Sequence, residues 1–212
     1  GLVTTRGFRD VLELGRRTRP NNWGLTGSFE ALISRECRLE VTERMDARGA
    51  VHTPLDEAEV ATAIEHLLGM DIDALVISFV HSYANPVHEE RAVAIARDLW
   101  PEGSITCGSE VMREIREFER TSAAALNAYI QPLMARYLGR LVAGLEERGL
   151  AQPLLVMQGN GGMMSAQLAS NHAVQTVMSG PAAGAIAAAQ IGVDAGFANV
   201  LACDMGGTSF DL

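Results

Sequence analysis

The chain has 212 residues, of which 48% are hydrophobic and 20% are charged, a composition typical of a folded globular protein. Its 17 Lys and Arg against 26 Asp and Glu give a net charge of −9, which argues against a general nucleic-acid surface and against an anionic-membrane anchor. This charge does not exclude a nucleotide, because backbone N–H groups can hold phosphates.

Cysteine usage and hydropathy both bear on where the protein works. Cys37, Cys107 and Cys203 are scattered without CxxC spacing, which indicates reduced thiols. No apolar run approaches the length of a membrane helix, so the sequence predicts a cytoplasmic protein with no membrane contact. Because the sequence stops within the motif DMGGTSFDL, we expect a piece of a longer polypeptide.

The first quarter of the chain predicts a short helix, a basic loop and a hairpin. Apolar residues favour the helix over 7–14. Arg16, Arg17 and Arg19 then lie in a polar, turn-rich loop; they could bind a phosphate or a carboxylate, although a solvated loop is the simpler interpretation. Residues 37–53 alternate apolar and polar side chains, which predicts a hairpin with a turn longer than two residues.

The next segments predict a parallel α/β layer. A helix is expected over 54–68 with Asp56 as its cap, followed by a strand over 74–80 whose continuous apolar character indicates burial on both faces. A second helix is expected over 85–99 and a short strand over 104–107. Strand, helix and strand in this order are typical of a parallel sheet.

A long helix is predicted over 110–148 from apolar residues that recur every three or four positions. Pro132 lies inside it and is expected to bend or break it. The charged residues at its start are typical of a solvated, salt-bridged surface. Because everything before Arg120 completes an α/β unit, we place the main boundary near that residue.

The remaining residues predict small elements around glycine-rich loops. A strand over 154–157 leads into the loop QGNGG (158–162), then a short helix and an extended apolar stretch over 174–178. A helix of small residues, able to pack very close to its neighbours, is expected over 180–192. A buried strand over 199–203 completes the chain before its last motif.

That last strand runs directly into Asp204 and then Gly206, Gly207, Thr208 and Ser209. The arrangement suits a phosphate-binding turn, because two glycines permit a close approach of the backbone and successive N–H groups can converge on phosphate oxygens. The threonine adds a hydroxyl donor, and the aspartate can hold a hydrated Mg²⁺. The same residues are also compatible with a β-hairpin turn containing a Gly-Gly pair.

The alanine-rich helix and this turn together resemble the ATPase superfamily of actin, hexokinase and the heat-shock chaperones. In that superfamily the helix corresponds to the first connection between subdomains and the turn to the second phosphate loop. The resemblance implies a partial ribonuclease-H-like (actin-type ATPase) fold, an α/β fold with a mixed sheet flanked by helices and a long helix near 110–148. It also implies ATP and Mg²⁺ as cofactors.

Within that superfamily the whole chain resembles the hydantoinase A/5-oxoprolinase family, which includes acetone-carboxylase-type subunits. The matching segments are TTRGFRDVLELGR (4–16), ERMDARGAVHTPLD (43–56), HSYANPVHE (81–89), EFERTSAAALNAYIQP (117–132), VMQGNGG (156–162), SGPAAG (179–184) and DMGGTSFDL (204–212). Gly159 departs from the family, which usually has serine there, and Ala123-Ala124 replace its usual threonines.

The family resemblance also implies a division of the chain and a function for the parent protein. Residues 1–119 would be the C-terminal part of the family's N-terminal domain, and 120–212 the N-terminal part of its A domain, ending at the second phosphate loop. The parent would be an ATP-dependent amidohydrolase that opens a cyclic imide or lactam, such as hydantoin or 5-oxoproline. Phosphorylating the carbonyl oxygen would turn a poor electrophile into one that water can attack.

Partners and alternatives follow from the same resemblance. A B-type hydantoinase subunit is the expected partner of the parent protein, and the isolated 212 residues are expected to be inactive. Two other functions stay open. One is an ATP-dependent ketone carboxylase subunit, which would phosphorylate a ketone enol or bicarbonate. The other is a non-enzymatic ATP clamp, as in the chaperones.

The expected site residues combine these motifs with the resemblance. Asp204 is the expected catalytic residue and metal ligand, and the four residues from Gly206 to Ser209 are expected to bind the phosphates. Arg120 is a candidate to bind a substrate carboxylate or phosphate. The loop residues Asn160, Gly161 and Gly162 follow a predicted strand, a common place for ligand loops, although a simple turn is the alternative.

Two histidines raise the possibility of a further metal site. His81 and His88 flank a predicted helix start, with Glu89 beside them, and a zinc site would need two histidines on one face plus a carboxylate. The simpler interpretation is that His81 ends a strand and that His88 with Glu89 decorates a first helical turn. The sequence contains no GxxxxGK[ST] loop and no Ser-His-Asp order, so it does not support a Walker-type ATPase or a triad hydrolase.

Overall fold

The computed structural model describes residues 1–16, 20–21, 23–24, 26–27, 29–150 and 152–212. The chain forms two compact units, Gly1–Tyr129 and Ile130–Leu212. Of the predicted basic loop, Arg17 and Arg19 lie outside the described residues, whereas the Arg16 guanidinium pairs with the Glu119 carboxylate.

The first unit is an α/β layer. Its strands are β1 (Leu2–Thr5), β2 (Arg38–Val41), β3 (Arg44–Met45), β4 (Val51–Thr53), β5 (Leu75–Ser78) and β6 (Ile105–Cys107). Its helices are α1 (Val11–Leu14), α2 (Glu57–Leu68), α3 (Val87–Leu99), α4 (Gly108–Val111) and α5 (Glu117–Glu146), of which α5 continues into the second unit. A single 3₁₀ turn, Arg35–Cys37, precedes β2.

Four of these strands form a sheet in the order β2-β1-β5-β6, and all three of its pairings are parallel. The predicted mixed sheet is therefore wrong for these strands, because each is reached through a long crossover rather than a hairpin. Antiparallel pairs occur instead as separate two-stranded sheets, such as β3 with β4. Apart from that strand mixture, the predicted α/β layer is confirmed.

The parallel sheet has a core on each face, as the continuous apolar run of β5 predicts. Val3 and Ile77 pack with side chains of α2 and α3, including Ile64 and Ala92. On the opposite face, Leu2 and Val76 form one cluster with α1 and with Ala124 and Ala128 of α5. The Asp56 cap of α2 is also confirmed, since its Oδ1 accepts the N–H of Glu59 at 3.0 Å.

Residues 37–53 were predicted as one hairpin, and only their second half forms one. The first half is β2, which pairs in parallel with β1 from Leu2↔Arg38 to Thr5↔Val41. Alternating apolar and polar residues indicate a strand but do not say which partner it takes. Here the buried Arg38 and Val41 fix β2 on the main sheet, and the turn at Asp46 joins β3 to β4.

The helix predictions also need correction at their starts. The helix expected over 7–14 covers only Val11–Leu14, after Gly7 with its φ of 89°. The helix expected over 110–148 is α4 followed by α5, and Arg116, with a φ of 90°, separates them. Pro132 does not break α5, because a proline removes one backbone hydrogen bond while the rest of the 30-residue helix keeps its own.

The second unit contains the end of α5 and two short hairpins. Its further elements are β7 (Leu155–Met157), β8 (Met163–Ser165), α6 (Ala166–Asn171), a 3₁₀ helix (Ala173–Thr176), α7 (Ser179–Asp194), β9 (Asp204–Met205) and β10 (Phe210–Asp211). β7 pairs with β8 and β9 with β10, both antiparallel. Leu138, Met164 and Ala169 form its small buried core.

Two apolar stretches of the second unit differ from their predictions. The stretch over 174–178 is mostly 3₁₀ helix rather than extended. The buried strand over 199–203 is absent, and Leu201 is 77% exposed. Val200 instead approaches α7 so closely that a Cβ on Gly192 would lie 2.2 Å from its Cγ2. A short apolar run predicts burial against something but not sheet pairing.

Gly159 allows a close approach inside the second unit, and this leads to a stability prediction. A Cβ placed there would lie 2.2 Å from the Val177 carbonyl oxygen, and the Gly159 N–H donates to the Gln175 carbonyl at 2.8 Å. We expect Gly159→Ala to lower the free energy of unfolding by about 1–3 kcal/mol, because backbone atoms must move. Chemical denaturation of both proteins measures the change.

Gly139→Ala is the matched control. This glycine is exposed within α5, and a Cβ there would meet nothing within 4 Å. Alanine should therefore raise stability by about 0.5–1 kcal/mol through its helix propensity. Equal effects of the two substitutions would contradict the close packing at Gly159.

Among the described residues, none of the helices has the length and apolarity needed to span a bilayer.

Candidate functional site

Polar side chains are buried at the carboxyl ends of β1 and β5, where ligands of parallel sheets commonly bind. Arg120 is fully buried there. Its guanidinium donates to the carbonyls of Phe79 at 2.8 Å and Glu114 at 2.9 Å, and it lies 5.7 Å from the centre of the Tyr83 ring. These contacts direct two of its nitrogens at protein carbonyls, whereas its buried Nε has no hydrogen-bond partner in the described part of the chain. The predicted ligand contact of Arg120 stays a prediction.

A buried chain of hydrogen bonds lies beside it and was not predicted from the sequence. The Val80 N–H donates to the Thr5 hydroxyl at 2.9 Å, and that hydroxyl donates to the Glu43 carboxylate. The other oxygen of Glu43 lies 2.9 Å from Nδ1 of His88. This chain joins the end of β1, the start of β3 and the first turn of α3.

His88 and Glu89 lie in the first turn of α3, as predicted, and the structure adds that Glu89 is fully buried. Its carboxylate accepts the backbone N–H groups of Phe79 at 2.6 Å and Ser109 at 2.8 Å. Burial, and then the Glu89 charge, raise the pKa of the neighbouring Cys107 thiol to about 12. Cys107 is therefore protonated at neutral pH and is unsuited to act as a nucleophile.

The histidine metal site considered from the sequence does not form. His88 is bonded to Glu43, whereas His81 lies near Glu117, with 3.8 Å between His81 Nδ1 and Glu117 Oε1. Within the described part of the chain, no three His, Cys, Asp or Glu side chains are grouped so that they could hold a metal ion. His81 has a positive φ of 59°, which is unusual for a residue with a Cβ.

The predicted phosphate loop is a β-hairpin turn in the second unit. Asp204 pairs with Asp211 and Met205 with Phe210, and the Gly206 N–H donates to the Ser209 carbonyl at 3.0 Å. Gly207 and Thr208 form the exposed tip, and a Cβ on Gly207 would meet nothing within 4 Å. The backbone at the tip is thus open to an anion, while the Gly206 amide is already used.

The QGNGG loop is also a hairpin turn rather than a turn from strand to helix. The Gln158 N–H donates to the Gly162 carbonyl at 2.8 Å, and the Gly162 N–H donates to Asn160 Oδ1 at the same distance. Gly161 occupies the left-handed region with a φ of 87°. The loop geometry follows from these internal bonds, and the predicted ligand contacts of its three residues stay predictions.

α7 contacts both of these turns, which the resemblance alone did not specify. A Cβ on Gly184 would lie 3.9 Å from Asp204 Oδ2, and the Ile186 side chain would lie 2.5 Å from a Cβ on Gly161. The predicted close packing of α7 holds at Gly192, which Val200 approaches closely, whereas Ala185, Ala187 and Ala189 are exposed. The predicted residues of the second unit converge on one helix, whereas Arg120 belongs to the other unit.

Comparison with protein families assigns the chain. A model described as "Hydantoinase/oxoprolinase" matches residues 120–212, and one described as "Hydantoinase/oxoprolinase N-terminal region" matches residues 1–100. The chain belongs to the hydantoinase/oxoprolinase family. The family expected from the sequence is thus confirmed, while the domain boundary at residue 120 and the actin-type fold stay predictions.

Hydantoinase/oxoprolinase relatives match the chain over its whole length. The caprolactamase subunit alpha of Pseudomonas jessenii is 38% identical over 215 residues, covering 100% of this chain and 31% of that protein. The acetophenone carboxylase gamma subunit of Aromatoleum aromaticum is 34% identical over 226 residues, with the same coverages. The chain thus spans about a third of the length of these relatives.

Two solved structures of hydantoinase/oxoprolinase relatives share the fold. The nucleotide-free structure of acetone carboxylase superimposes with a TM-score of 0.89 at 28% identity. The crystal structure of the ATP-dependent caprolactamase from Pseudomonas jessenii gives 0.84 at 37% identity. Each match covers 99% of this chain and 31% of the solved chain.

Proposed function

We propose that the full-length protein is an ATP-dependent amidohydrolase that opens a cyclic imide or lactam of the hydantoin or 5-oxoproline type. The observation that carries the proposal is the 38% identity to caprolactamase subunit alpha, which extends over the whole chain. Caprolactamase is ATP-dependent by name, and the lactam in its name is the class of compound that the family resemblance implies. The reaction takes place in the cytoplasm.

The turn at the end of the chain fits phosphate and a hard cation. Its tip at Gly207 and Thr208 is exposed, so backbone N–H groups and a hydroxyl can meet phosphate oxygens. Asp204 supplies the carboxylate oxygens that Mg²⁺ prefers, and its side chain is exposed beside α7. ATP would supply the phosphoryl group that activates the carbonyl oxygen of the substrate.

The residues of the turn have three different tasks in this proposal. Asp204 holds the cation and so positions the phosphates, while Gly207, Thr208 and Ser209 stabilise the charge that develops on them. Gly206 serves the turn by its internal hydrogen bond to Ser209 and by having no side chain. Asn160, Gly161 and Gly162, together with Arg120, remain the proposed substrate contacts, although the bonds of Arg120 weaken its part.

A ketone carboxylase subunit is the second candidate, and one observation favours it. The acetone carboxylase structure superimposes with a TM-score of 0.89, against 0.84 for caprolactamase. The sequence identities run the other way, at 28% and 37%. We give the identities more weight, because specificity depends on side chains, whereas a backbone superposition reports the shared fold.

The proposed protein works with a second subunit. The caprolactamase and acetophenone carboxylase relatives are named as subunits, which supports a partner of the B type. We also propose that residues 1–119 and 120–212 belong to the family's N-terminal and A domains, respectively. The isolated chain is then inactive, because it spans about a third of the relatives.

ATP turnover by the full-length protein with its partner subunit tests the proposal. Phosphate release would be measured with hydantoin or 5-oxoproline, and with acetone or acetophenone together with bicarbonate. We expect a cyclic amide to stimulate release and the ring-opened product to appear in equal amount. Stimulation by a ketone and bicarbonate alone would select the carboxylase, and no turnover with either class would overturn both proposals.

A further inference from the structure

Helix α7 has the composition of a core helix, and yet its side chains are exposed. Its 16 residues include one charged side chain, Asp194, and are otherwise mostly alanine, glycine, isoleucine and valine. Gly192 is the only buried residue of this helix. A helix that is apolar around its whole circumference belongs inside a large domain or across a membrane. The first possibility applies to α7, which is shorter than the roughly 20 residues that a membrane span needs.

The surface helix α2 shows the pattern that α7 lacks. α2 buries Val60, Ile64 and Leu67 in the core beside the parallel sheet, and it exposes Glu57 and Glu65. One side of that helix thus suits the core and the other suits water. α7 has no comparable polar side, so its exposure to water is unfavourable and its burial would stabilise the protein.

The exposed apolar side chains of α7 point in different directions. Because an α-helix has about 3.6 residues per turn, Ile191 lies roughly 140° around the helix from Ile186. Both side chains are exposed. The sector that holds Gly184 and Gly192 faces residues 200–204 of the same unit. Any polypeptide that covers the exposed part of α7 must therefore reach it from more than one side.

The segment that follows α7 extends the same apolar surface. Its large exposed side chains include those of Phe197, Leu201, Met205 and Phe210. By contrast, the buried core cluster of the second unit is small and consists of Leu138, Met164 and Ala169. A continuous apolar surface on a folded unit marks a place where further protein packs.

We propose that the rest of the full-length polypeptide packs around α7 and makes it a core helix of the domain that carries the phosphate turn. The solved relatives support this occupant, because each match covers 99% of this chain but 31% of the solved chain. In a full-length protein of that size, most of the polypeptide lies outside the 212 residues and is available to cover α7. The inference rests on the full-length protein of the proposed function and not on the reaction proposed for it.

A second subunit or a second copy of the chain fits this surface less well. A docked protein covers one side of a helix, whereas Ile186 and Ile191 need cover on two sides. Interfaces between separately folded proteins are also about as apolar as ordinary protein surface and have a polar rim. α7 offers one charged residue to such a rim, Asp194 at its end.

Packing around α7 would also fix the two turns of the candidate site. A Cβ on Gly184 would lie 3.9 Å from Asp204 Oδ2, and the Ile186 side chain lies beside Gly161 of the QGNGG loop. A helix held from several sides limits the movement of the turns that contact it. This gives a second reason for the proposed inactivity of the isolated chain.

Hydroxyl-radical oxidation of the full-length protein, read by mass spectrometry, tests this proposal without ATP or substrate. Ile191 is 67% exposed in these 212 residues, and Ile115 of the first unit is the matched reference at 66%. The oxidation rate of each isoleucine is compared with its rate in the urea-unfolded protein, at a concentration where sedimentation shows a monomer. We expect oxidation of Ile191 to be several-fold slower than in the unfolded protein, and oxidation of Ile115 to be nearly as fast.

Oxidation of Ile191 at its unfolded rate in the monomer overturns the proposal. Protection that appears only after the partner subunit is added assigns the surface to that subunit, and protection that appears only on self-association assigns it to a second copy. Either result also overturns the proposal. Because no turnover is measured, protection of Ile191 in a protein that opens no cyclic amide would support this inference while the proposed reaction failed.

A pair of substitutions in the full-length protein gives a second readout. Ile191→Asp should lower the thermal unfolding midpoint by several degrees, because a carboxylate would be buried without a partner. Ile115→Asp is the matched control and should change the midpoint little, since Ile115 lies exposed between α4 and α5. Equal shifts in the two variants would overturn the proposal. If Ile191→Asp does not fold, the oxidation of the native protein decides.

Discussion

Asp204→Asn in the full-length protein is expected to lower the turnover number of the ATP-dependent reaction by about 100- to 1,000-fold. Asparagine keeps the size of the side chain but removes the charge that holds the cation beside the phosphates, and losses of this order follow removal of one electrostatic contact. Phosphate release under saturating substrate and ATP measures the change. The unfolding midpoint should move little, because the Asp204 side chain is exposed.

Asp194→Asn provides the matched control for this substitution. Asp194 is an exposed aspartate at the end of α7, and its carboxylate accepts a hydrogen bond from the Gln190 side chain at 2.8 Å. Its turnover number should equal that of the native protein. Full activity in Asp204→Asn, or equal losses in both variants, would show that the carboxylate at the hairpin has no special part in the reaction.

Local signals in the sequence predicted α2, α3, β5 and β6 well, whereas α1, the start of α5 and the partner of β2 needed correction. Asp56 before an apolar repeat predicts the start of α2, and the structure confirms it through the bond to Glu59. The run over 74–80 is mostly apolar without alternation, and β5 within it is indeed covered on both faces. These features depend on residues close in sequence, and this explains why they can be recognised from it.

Pairing partners depend on distant residues and could not be predicted in the same way. The strand at Arg38–Val41 takes β1 as its neighbour, a choice that no local pattern encodes. Likewise, the apolar residues over 199–203 indicated a strand, whereas Val200 meets α7 at Gly192. In the first segment the apolar pattern correctly indicated a strand but not its partner, whereas in the second the predicted burial is wrong, since Val200 is 49% and Leu201 77% exposed.

The candidate site shows the same division. The motif places Asp204, Gly207 and Thr208 on one turn. The structure adds that the Gly206 N–H is bonded within the turn and that Gly184 of α7 lies close to Asp204.

The sequence did contain a signal for the buried Glu89, which was missed. Residues 89, 92, 93 and 96 follow the spacing of one helix face, and the last three are apolar and buried.

That buried carboxylate leads to the largest stability change that we expect. Glu89→Ala should lower the free energy of unfolding by about 3 kcal/mol or more, because the amides of Phe79 and Ser109 lose their acceptor in a site closed to water. The two amides lie at the ends of β5 and β6, so their loss loosens the carboxyl edge of the sheet. Thermal unfolding measures the change as a drop of roughly 10 °C.

Glu90→Ala separates this effect from a general effect of charge on α3. Glu90 is the next residue and is exposed, so its removal should change stability by less than about 0.5 kcal/mol. Hydrogen exchange gives a local test, since the Phe79 and Ser109 amides should lose protection in Glu89→Ala and keep it in Glu90→Ala. An amide that still has a hydrogen-bond acceptor exchanges only when the whole sheet opens. Unchanged protection of both amides in Glu89→Ala would therefore show that other groups accept their hydrogen bonds and hold this edge of the sheet.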